Sequence, residues 1–287
     1  MRRFELLEPR SIEEATALLA EHPDAKLIAG GTALLILIKQ GVYVPGTLIN
    51  LKKISGVNEI AYDATSGLRI GALASIHAVE RDAAVRQHYP VLADACHVVA
   101  NIRIRNLATI GGNLAHSDYQ SDPPCALLAL GAGVELTSGR GTRGVPLSEF
   151  LIGTYETAIE PDEVLTAITV PPPPAAQRGS YLKFTTRSSG DRPAAAVTAL
   201  ATLSGGTLDD VRVVIGAVSP SPVLLTEASE LASGQAPSAE LFARIGQVAS
   251  QAMDPIEDHR GSAAYKRHLV GVLAERALAQ AINGGAA

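Results

Sequence analysis

The chain has 287 residues, 47% of them apolar, with no Trp, two Cys and a net charge of −5. At roughly 100–200 residues per domain, that length predicts two domains or three small ones around an aliphatic core. The acidic balance and the lack of basic runs interleaved with aromatics exclude a nucleic-acid surface. Cys96 and Cys125 share no CxxC spacing, which excludes a zinc or iron–sulfur site built from them and fits a reducing cytoplasm better than a disulfide framework.

The opening "MRRFELLEPRSIEEA" has no apolar core of a secretory signal, and the longest apolar run, "ALLILI", is too short to span a bilayer. "SIEEATALLAEH" carries Ser11 with Glu14 three residues on, a capping-box pattern, and Ile12, Ala15, Leu18 and Leu19 share one helical face. A strand, "AKLIAG", then hands over through Gly30 and Gly31 to a helix expected from about Thr32 to Gln40, with Thr32 as its cap and Gly41 past its C-terminus. "GTLINL" is a further strand, and residues 1–57 make one α/β unit.

Residues 58–174 make a second unit. "GLRIGALAS" is a strand, "SIHAVERDAAVRQ" and "VLADACHVVAN" are helices, and "NIRIRN" reads as a strand whose Arg103 and Arg105 either grip a phosphate or a partner or, for at least one of them, lie on a solvated face. "GAGVELTSGRGTRGVPLSEFL" predicts strand, turn, strand and short helix. "DEVLTAITVPPPP" predicts a strand ended by Pro171–Pro174, a run that favours extended linker geometry. From residue 178 to 287 the pattern changes to long antiparallel strands in "GSYLKFTTRSS" and "AAAVTALATLSGGTLDDVRVVIGAVS", with a turn at "GGTLDD". Helices follow near Ser238–Gln251 and Ala263–Ile282, so this part is α+β.

Two glycine pairs stand out. Without Cβ atoms, backbone N–H groups come close to a ligand, and a helix start adds unpaired donors and positive potential, so strand–Gly-Gly–helix suits a phosphate. Gly30–Gly31 has this form; Gly111–Gly112, in "TIGGNLAHSD", has it less clearly because no helix is evident after it. Neither is a Walker A loop or a G-x-G-x-x-G fingerprint. One pair alone reads as a tight turn, as "SGGT" does at Ser204–Thr207. Two pairs nearly eighty residues apart suit a diphosphate clamped from both sides, and hence a dinucleotide stretched between subdomains.

"LIAGGTALLILIKQG" and "ATIGGNLAHSDYQSDPPCALLAL" resemble the two FAD-binding signatures of the flavoprotein (medium) subunits of molybdenum hydroxylases, a family that includes the carbon monoxide dehydrogenase medium chain and the flavin segment of xanthine dehydrogenase. The resemblance covers nearly the whole chain, including "DEVLTAITVP", "YLKFTTRSSGDRPAAAVTA" and "DPIEDHRGSAAYKRHLVGVLAERAL". It implies an α+β fold: a two-subdomain FAD-binding fold of the vanillyl-alcohol oxidase type, followed by a C-terminal domain of antiparallel sheet and helices. It further implies that Ala29, Gly30, Gly31, Thr32 and Ala33, with Thr109, Ile110, Gly111, Gly112 and Asn113, hold the FAD diphosphate. Asp122 matches the family's acidic residue near the ribose, and Leu165 and Lys183 match positions near the isoalloxazine.

The implied role is an oxidoreductase subunit that passes electrons from an iron–sulfur subunit to an external acceptor. The implied partners are a small subunit with 2Fe-2S clusters and a large subunit with the molybdenum cofactor, in a dimer of heterotrimers. The sequence departs from the carbon monoxide dehydrogenase pattern where a tyrosine follows the Gly-Asp pair; here Arg192 follows Gly190 and Asp191, so that the resemblance implies a flavin ring covered differently or left more open. A self-sufficient FAD oxidase and a nucleotide-binding non-redox module are the rival classes. A hydrolase reading of "SDYQSD" and "RSSGDR" has no G-x-S-x-G elbow behind it. His97 and His116 read as structural, Asn113 as a turn or cofactor residue, and Lys183 without the resemblance as a solvated strand lysine. Asp122 without it is the N-cap of the helix at "PPCALLALG".

Overall fold

The structure, a computed structural model, describes residues 3–284. In the first unit, β1 (Glu5–Leu7), α1 (Ile12–Glu21), β2 (Lys26–Ile28), α2 (Leu34–Lys39) and β3 (Thr47–Asn50) build a three-stranded parallel sheet of order β1-β3-β2 with its helices. The Ser11 half of the capping box forms as its spacing predicts, while Glu14 reaches the residue before the cap. Ser11 Oγ accepts the Glu14 N–H at 3.2 Å, and the Glu14 carboxylate accepts the Arg10 N–H at 2.7 Å. Ala15 and Leu19 then pack on Ile49, Leu51 and Ile54.

The second unit runs β4 (Ile60–Asp63), β5 (Gly67–Gly71), α3 (Ile76–Arg81), α4 (Ala83–His88), α5 (Pro90–His97), α6 (Ile102–Leu107), α7 (Ile110–His116), α8 (Asp122–Ala129), β6 (Gly133–Ser138), β7 (Gly141–Pro146), α9 (Leu147–Phe150), β8 (Leu151–Gly153), β9 (Glu156–Thr157) and β10 (Val164–Val170). Five strands form an antiparallel sheet, β4-β5-β10-β6-β7, while β8 and β9 form a small hairpin. β10 is last in sequence but central in space, so the sheet closes only when the chain returns. "NIRIRN" is a helix, not a strand. The Asn101 side chain accepts the N–H groups of Arg103 and Ile104, capping α6, and this local cap overrides the period-two alternation of Ile and Arg.

The third unit comprises β11 (Gln177–Phe184), β12 (Ala195–Ser204), β13 (Thr207–Gly216), β14 (Val223–Leu225), α10 (Thr226–Ala232), α11 (Ala239–Ala252) and α12 (Ala263–Asn283), with the strands in one antiparallel sheet in that order. Its β12–β13 turn uses Gly205 and Gly206, both at positive φ. β12 is buried on both faces. Ala196 and Leu200 join the core of the second unit, while Val197 and Ala199 pack under α11 and α12. That double burial is why "AAAVTALATL" lacks a polar face. α11 and α12 cross closely at Gly246, where a Cβ would stand 2.6 Å from the Gly271 carbonyl oxygen.

The segment between α11 and α12 is tied back to the second unit through Asp258. Its Oδ2 accepts the Tyr119 hydroxyl at 3.2 Å and the Gln120 amide at 3.3 Å; its Oδ1 accepts the Arg260 N–H and the Lys266 ammonium, both at 2.8 Å. Lys266 is fully buried and also donates to the Ile256 carbonyl at 2.8 Å. Burial raises the Asp258 pKa, but Lys266 and the other donors outweigh it and hold the carboxyl below the usual aspartate range. A depressed folded value means that its stabilisation is complete above the ordinary range and is lost as pH falls through the folded value. Asp258→Asn is therefore expected to lower the melting temperature at neutral pH and to flatten the decline on acidification. Thermal melts across the acid range check this, and parallel wild-type and variant curves would count against it.

Candidate functional site

The fold brings the two glycine pairs side by side. A Cβ on Gly30 would lie 2.1 Å from the Leu107 carbonyl oxygen and 2.9 Å from Ala108 Cα, immediately before the second pair, and one on Gly112 would face Ala29 Cβ at 3.9 Å. A Cβ on Gly111 would sit 2.5 Å from Ala72 Cβ. Gly30 and Gly111 are thus required by contacts within the protein. Gly31 is required by its backbone, at φ +71°.

The two loops differ in what they offer. Among the described residues, the N–H groups of Gly30, Gly31, Thr32 and Ala33 donate to no backbone or side-chain acceptor, which leaves a run of bare donors just past the end of β2. α2 starts only at Leu34, with Ala33 at its N-cap position and no side-chain cap; Thr32 is not the cap. The left-handed Gly31 turns the chain before a helix can begin.

The second loop is a helix start, with Gly111 and Gly112 inside the first turn of α7. Its amides are engaged: Ile110 and Gly111 donate to Ala74 and Ala72, Gly112 to Thr109 Oγ1 at 3.1 Å, and Asn113 to the Thr109 carbonyl. The expected pair of bare loops is corrected to one bare loop and one capped helix. The capped helix still presents the Asn113 amide nitrogen, since Asn113 Oδ1 is taken by the Ser121 hydroxyl at 2.9 Å. The donor run suits a diphosphate, which needs N–H donors at close approach.

Behind the loops lies a buried polar cluster. Tyr181 donates its hydroxyl to Asp122 Oδ1 at 2.6 Å, and Lys183 donates to Asp122 Oδ2 at 3.1 Å and to the Val98 carbonyl at 2.8 Å. The Lys183 and Asp122 side chains are 6% and 5% exposed, so Lys183 is no solvated strand lysine. Nor does Asp122 cap α8: Ser121 holds the N-cap position, and Asp122 is the first helical residue. Each Asp122 oxygen already accepts one hydrogen bond from within the protein. Burial pushes the Asp122 carboxyl up to about 6 against the pull of Lys183 and Tyr181.

Leu165 is buried beside a β-bulge in β10. The next carbonyl, that of Thr166, accepts the N–H of Ala72, the residue on which Gly111 rests. The two cysteines are buried free thiols; Cys125 sits between α8 and the C-terminal sheet, and burial pushes its thiol up to about 12.

Arg105 and Glu80 were not visible as a pair in the sequence. Arg105 donates to Glu80 Oε2 at 2.9 Å and to the Val99 carbonyl at 3.1 Å, and His97 and His77 approach the same carboxylate at 2.8 and 3.2 Å. Burial raises the Glu80 pKa, but the two histidines and Arg105 together bring it below the usual range. This pair anchors α6, whose last carbonyl meets Gly30. The i,i+3 spacing of His77 and Glu80 on one helix was the only sequence hint. Arg103 is exposed, while His116 is half-buried against Tyr155, with ring centroids 4.9 Å apart, and is pushed down chiefly by burial. Arg192 pairs with the buried Asp118 at 2.7 Å, and Asp191 accepts from Arg260 at 3.4 Å.

Comparison with known proteins places this geometry. Residues 2–173 match the family described as FAD binding domain in molybdopterin dehydrogenase, and residues 180–281 match the CO dehydrogenase flavoprotein C-terminal domain. The chain is similar to the carbon monoxide dehydrogenase medium chain of Afipia carboxidovorans, 33% identical over 279 residues that cover 97% of this chain and 96% of that one. It is also similar to a xanthine dehydrogenase FAD-binding subunit of Escherichia coli, 28% identical over 273 residues covering 95% and 94%. Among solved structures, carbon monoxide dehydrogenase from Hydrogenophaga pseudoflava superposes with a TM-score of 0.94 at 34% identity, covering 98% of each chain. Quinoline 2-oxidoreductase from Pseudomonas putida gives 0.94 at 29% identity, covering 99% of this chain and 98% of that one. A donor-lined loop on an FAD-binding domain, joined to a flavoprotein C-terminal domain over the full length of its relatives, identifies the chain as a member of the FAD-binding medium-subunit family of the molybdenum hydroxylases.

Proposed function

We propose that this chain is the electron-relay subunit of a molybdenum hydroxylase complex, receiving electrons from a small subunit with 2Fe-2S clusters and delivering them to an external acceptor. In this reading it assembles with that small subunit and a molybdenum-binding large subunit as a dimer of heterotrimers in the cytoplasm. Among the described residues no helix is long and apolar enough to cross a membrane. Residues 1–57 and 58–174 are read as the two FAD-binding subdomains and 178–287 as the C-terminal domain.

The observation that carries the reading is the run of unpartnered N–H groups from Gly30 to Ala33 packed against the second glycine turn. Ala29–Ala33 would hold the diphosphate through backbone amides, and Thr109–Asn113 would flank it, Asn113 with its side-chain amide. Leu165 and Lys183 would line the side taken by the ring, with Asp122 behind Lys183. Bound FAD supplies the chemistry that couples one-electron arrivals to a two-electron store. The chain's own work is to seat the cofactor, bury part of it, and keep a cation beside it.

The test is to purify the chain, add FAD and follow flavin absorbance and fluorescence. A yellow protein with about one flavin per chain is expected, reduced poorly by organic substrates until the molybdenum and iron–sulfur chains are added. A folded chain that never takes up FAD overturns the reading in favour of a non-redox nucleotide module. Rapid reduction by an organic substrate with this chain alone overturns the relay role in favour of a self-sufficient oxidase.

A further inference from the structure

We propose that Asp122, acting through Lys183, sets the reduction potential of the bound flavin, and that Tyr181 controls how much of the Asp122 charge Lys183 feels. The inference rests on the reading that Lys183 lines the ring side of the site.

The geometry is that of a buried ion pair with one open donor. An ammonium has three N–H groups. Lys183 places one on the Val98 carbonyl and one on Asp122 Oδ2, and among the described residues the third has no acceptor. The side chain is 6% exposed, so the pair has little contact with solvent. The cluster adjoins the nucleotide loops, because Ser121, the residue before Asp122, hydrogen-bonds Asn113 of the second loop.

A cation next to a group that gains electrons favours the reduced form, and a carboxylate on the same cation cancels part of that effect. In a site this dry the cancellation is weakly screened. Tyr181 adds a third party. Its phenol, held neutral chiefly by burial, donates to the other carboxylate oxygen at 2.6 Å and draws charge away from the Lys183 side. Asp122 and Tyr181 are therefore positioning residues acting through Lys183, and their effects on the potential have opposite signs.

The experiment is spectroelectrochemical titration of the full FAD-loaded chain at about pH 8, where the Asp122 carboxyl is ionised. Asp122→Asn is expected to raise the midpoint potential, because the Lys183 charge is no longer offset. Tyr181→Phe is expected to lower it, because the carboxylate charge concentrates on Lys183. Shifts in the same direction, or no shift in either variant, overturn the proposal. Where Asp122→Asn fails to hold flavin, Tyr181→Phe decides alone: a lowered potential supports the proposal, and an unchanged or raised one overturns it. Lys183→Met separates the two levels of inference. If it lowers the potential while the other variants do nothing, only the Asp122 proposal fails; if it too does nothing, the placement of Lys183 at the ring fails.

Discussion

Gly30→Ala is expected to strip the protein of most of its flavin affinity. The new methyl group would stand 2.1 Å from the Leu107 carbonyl oxygen and 2.9 Å from Ala108 Cα, both backbone atoms that cannot rotate away. The first loop must then lift off the start of the second, and the donors from Gly30 to Ala33 lose their registry with Asn113. Overpacking of this kind costs about 1–3 kcal/mol. A loss of about 2 kcal/mol in binding corresponds to roughly 30-fold weaker affinity. Titration of the flavin-free chain with FAD, read by flavin fluorescence, measures it. Gly46→Ala is the control, since a Cβ there meets no atom within 4 Å. Equal affinity for the two variants would show that the packing of the loops does not shape the seat.

The second large effect is expected at Glu80→Ala. Glu80 and Arg105 are each 11% exposed, so removing the carboxylate leaves a buried guanidinium with only the Val99 carbonyl. Breaking one partner of a buried pair costs about 3–5 kcal/mol. At a few degrees per kcal/mol for a chain of this size, the melting temperature should fall by roughly 10 °C. Because α6 carries Leu107 and Ala108 up to Gly30, and the Ile76 N–H holds the Ala108 carbonyl at 2.8 Å, flavin affinity should fall as well. Arg105→Lys keeps a cation opposite Glu80 but cannot span both Glu80 and the Val99 carbonyl, so by itself it should cost only part of that melting loss. A Glu80→Ala protein with unchanged melting and flavin uptake would remove the pair from any role in positioning the site.

Some features were legible because their causes are local. Ser11 with Glu14 specifies the start of α1, Gly41 follows the C-cap of α2 at positive φ, and Gly205–Gly206 makes the turn of a hairpin. The alternation in "NIRIRN" misled for a comparable reason: two local signals competed, and the Asn101 cap prevailed. The glycine pairs do come together in the fold, but they are not the matched bare loops that the spacing suggested. Bare amides are the property of one loop, and in the other the same residue type serves a tight helix start against Ala72.

Lys183 shows the limit most clearly. Read alone it is an ordinary strand lysine; folded, it is buried between the Val98 carbonyl and a carboxylate 61 positions away in sequence. Caps, turns and the apolar character of each strand are determined by the sequence itself, because they depend on groups within a turn or two of one another, where steric and hydrogen-bonding rules fix the geometry. The abutment of Gly30 on Leu107, the anchoring of α6 by Glu80 and the neutralised charge of Lys183 were decided only by the tertiary structure. Each depends on closing a long loop and drying the contact, and no spacing along the chain specifies which distant group will be there.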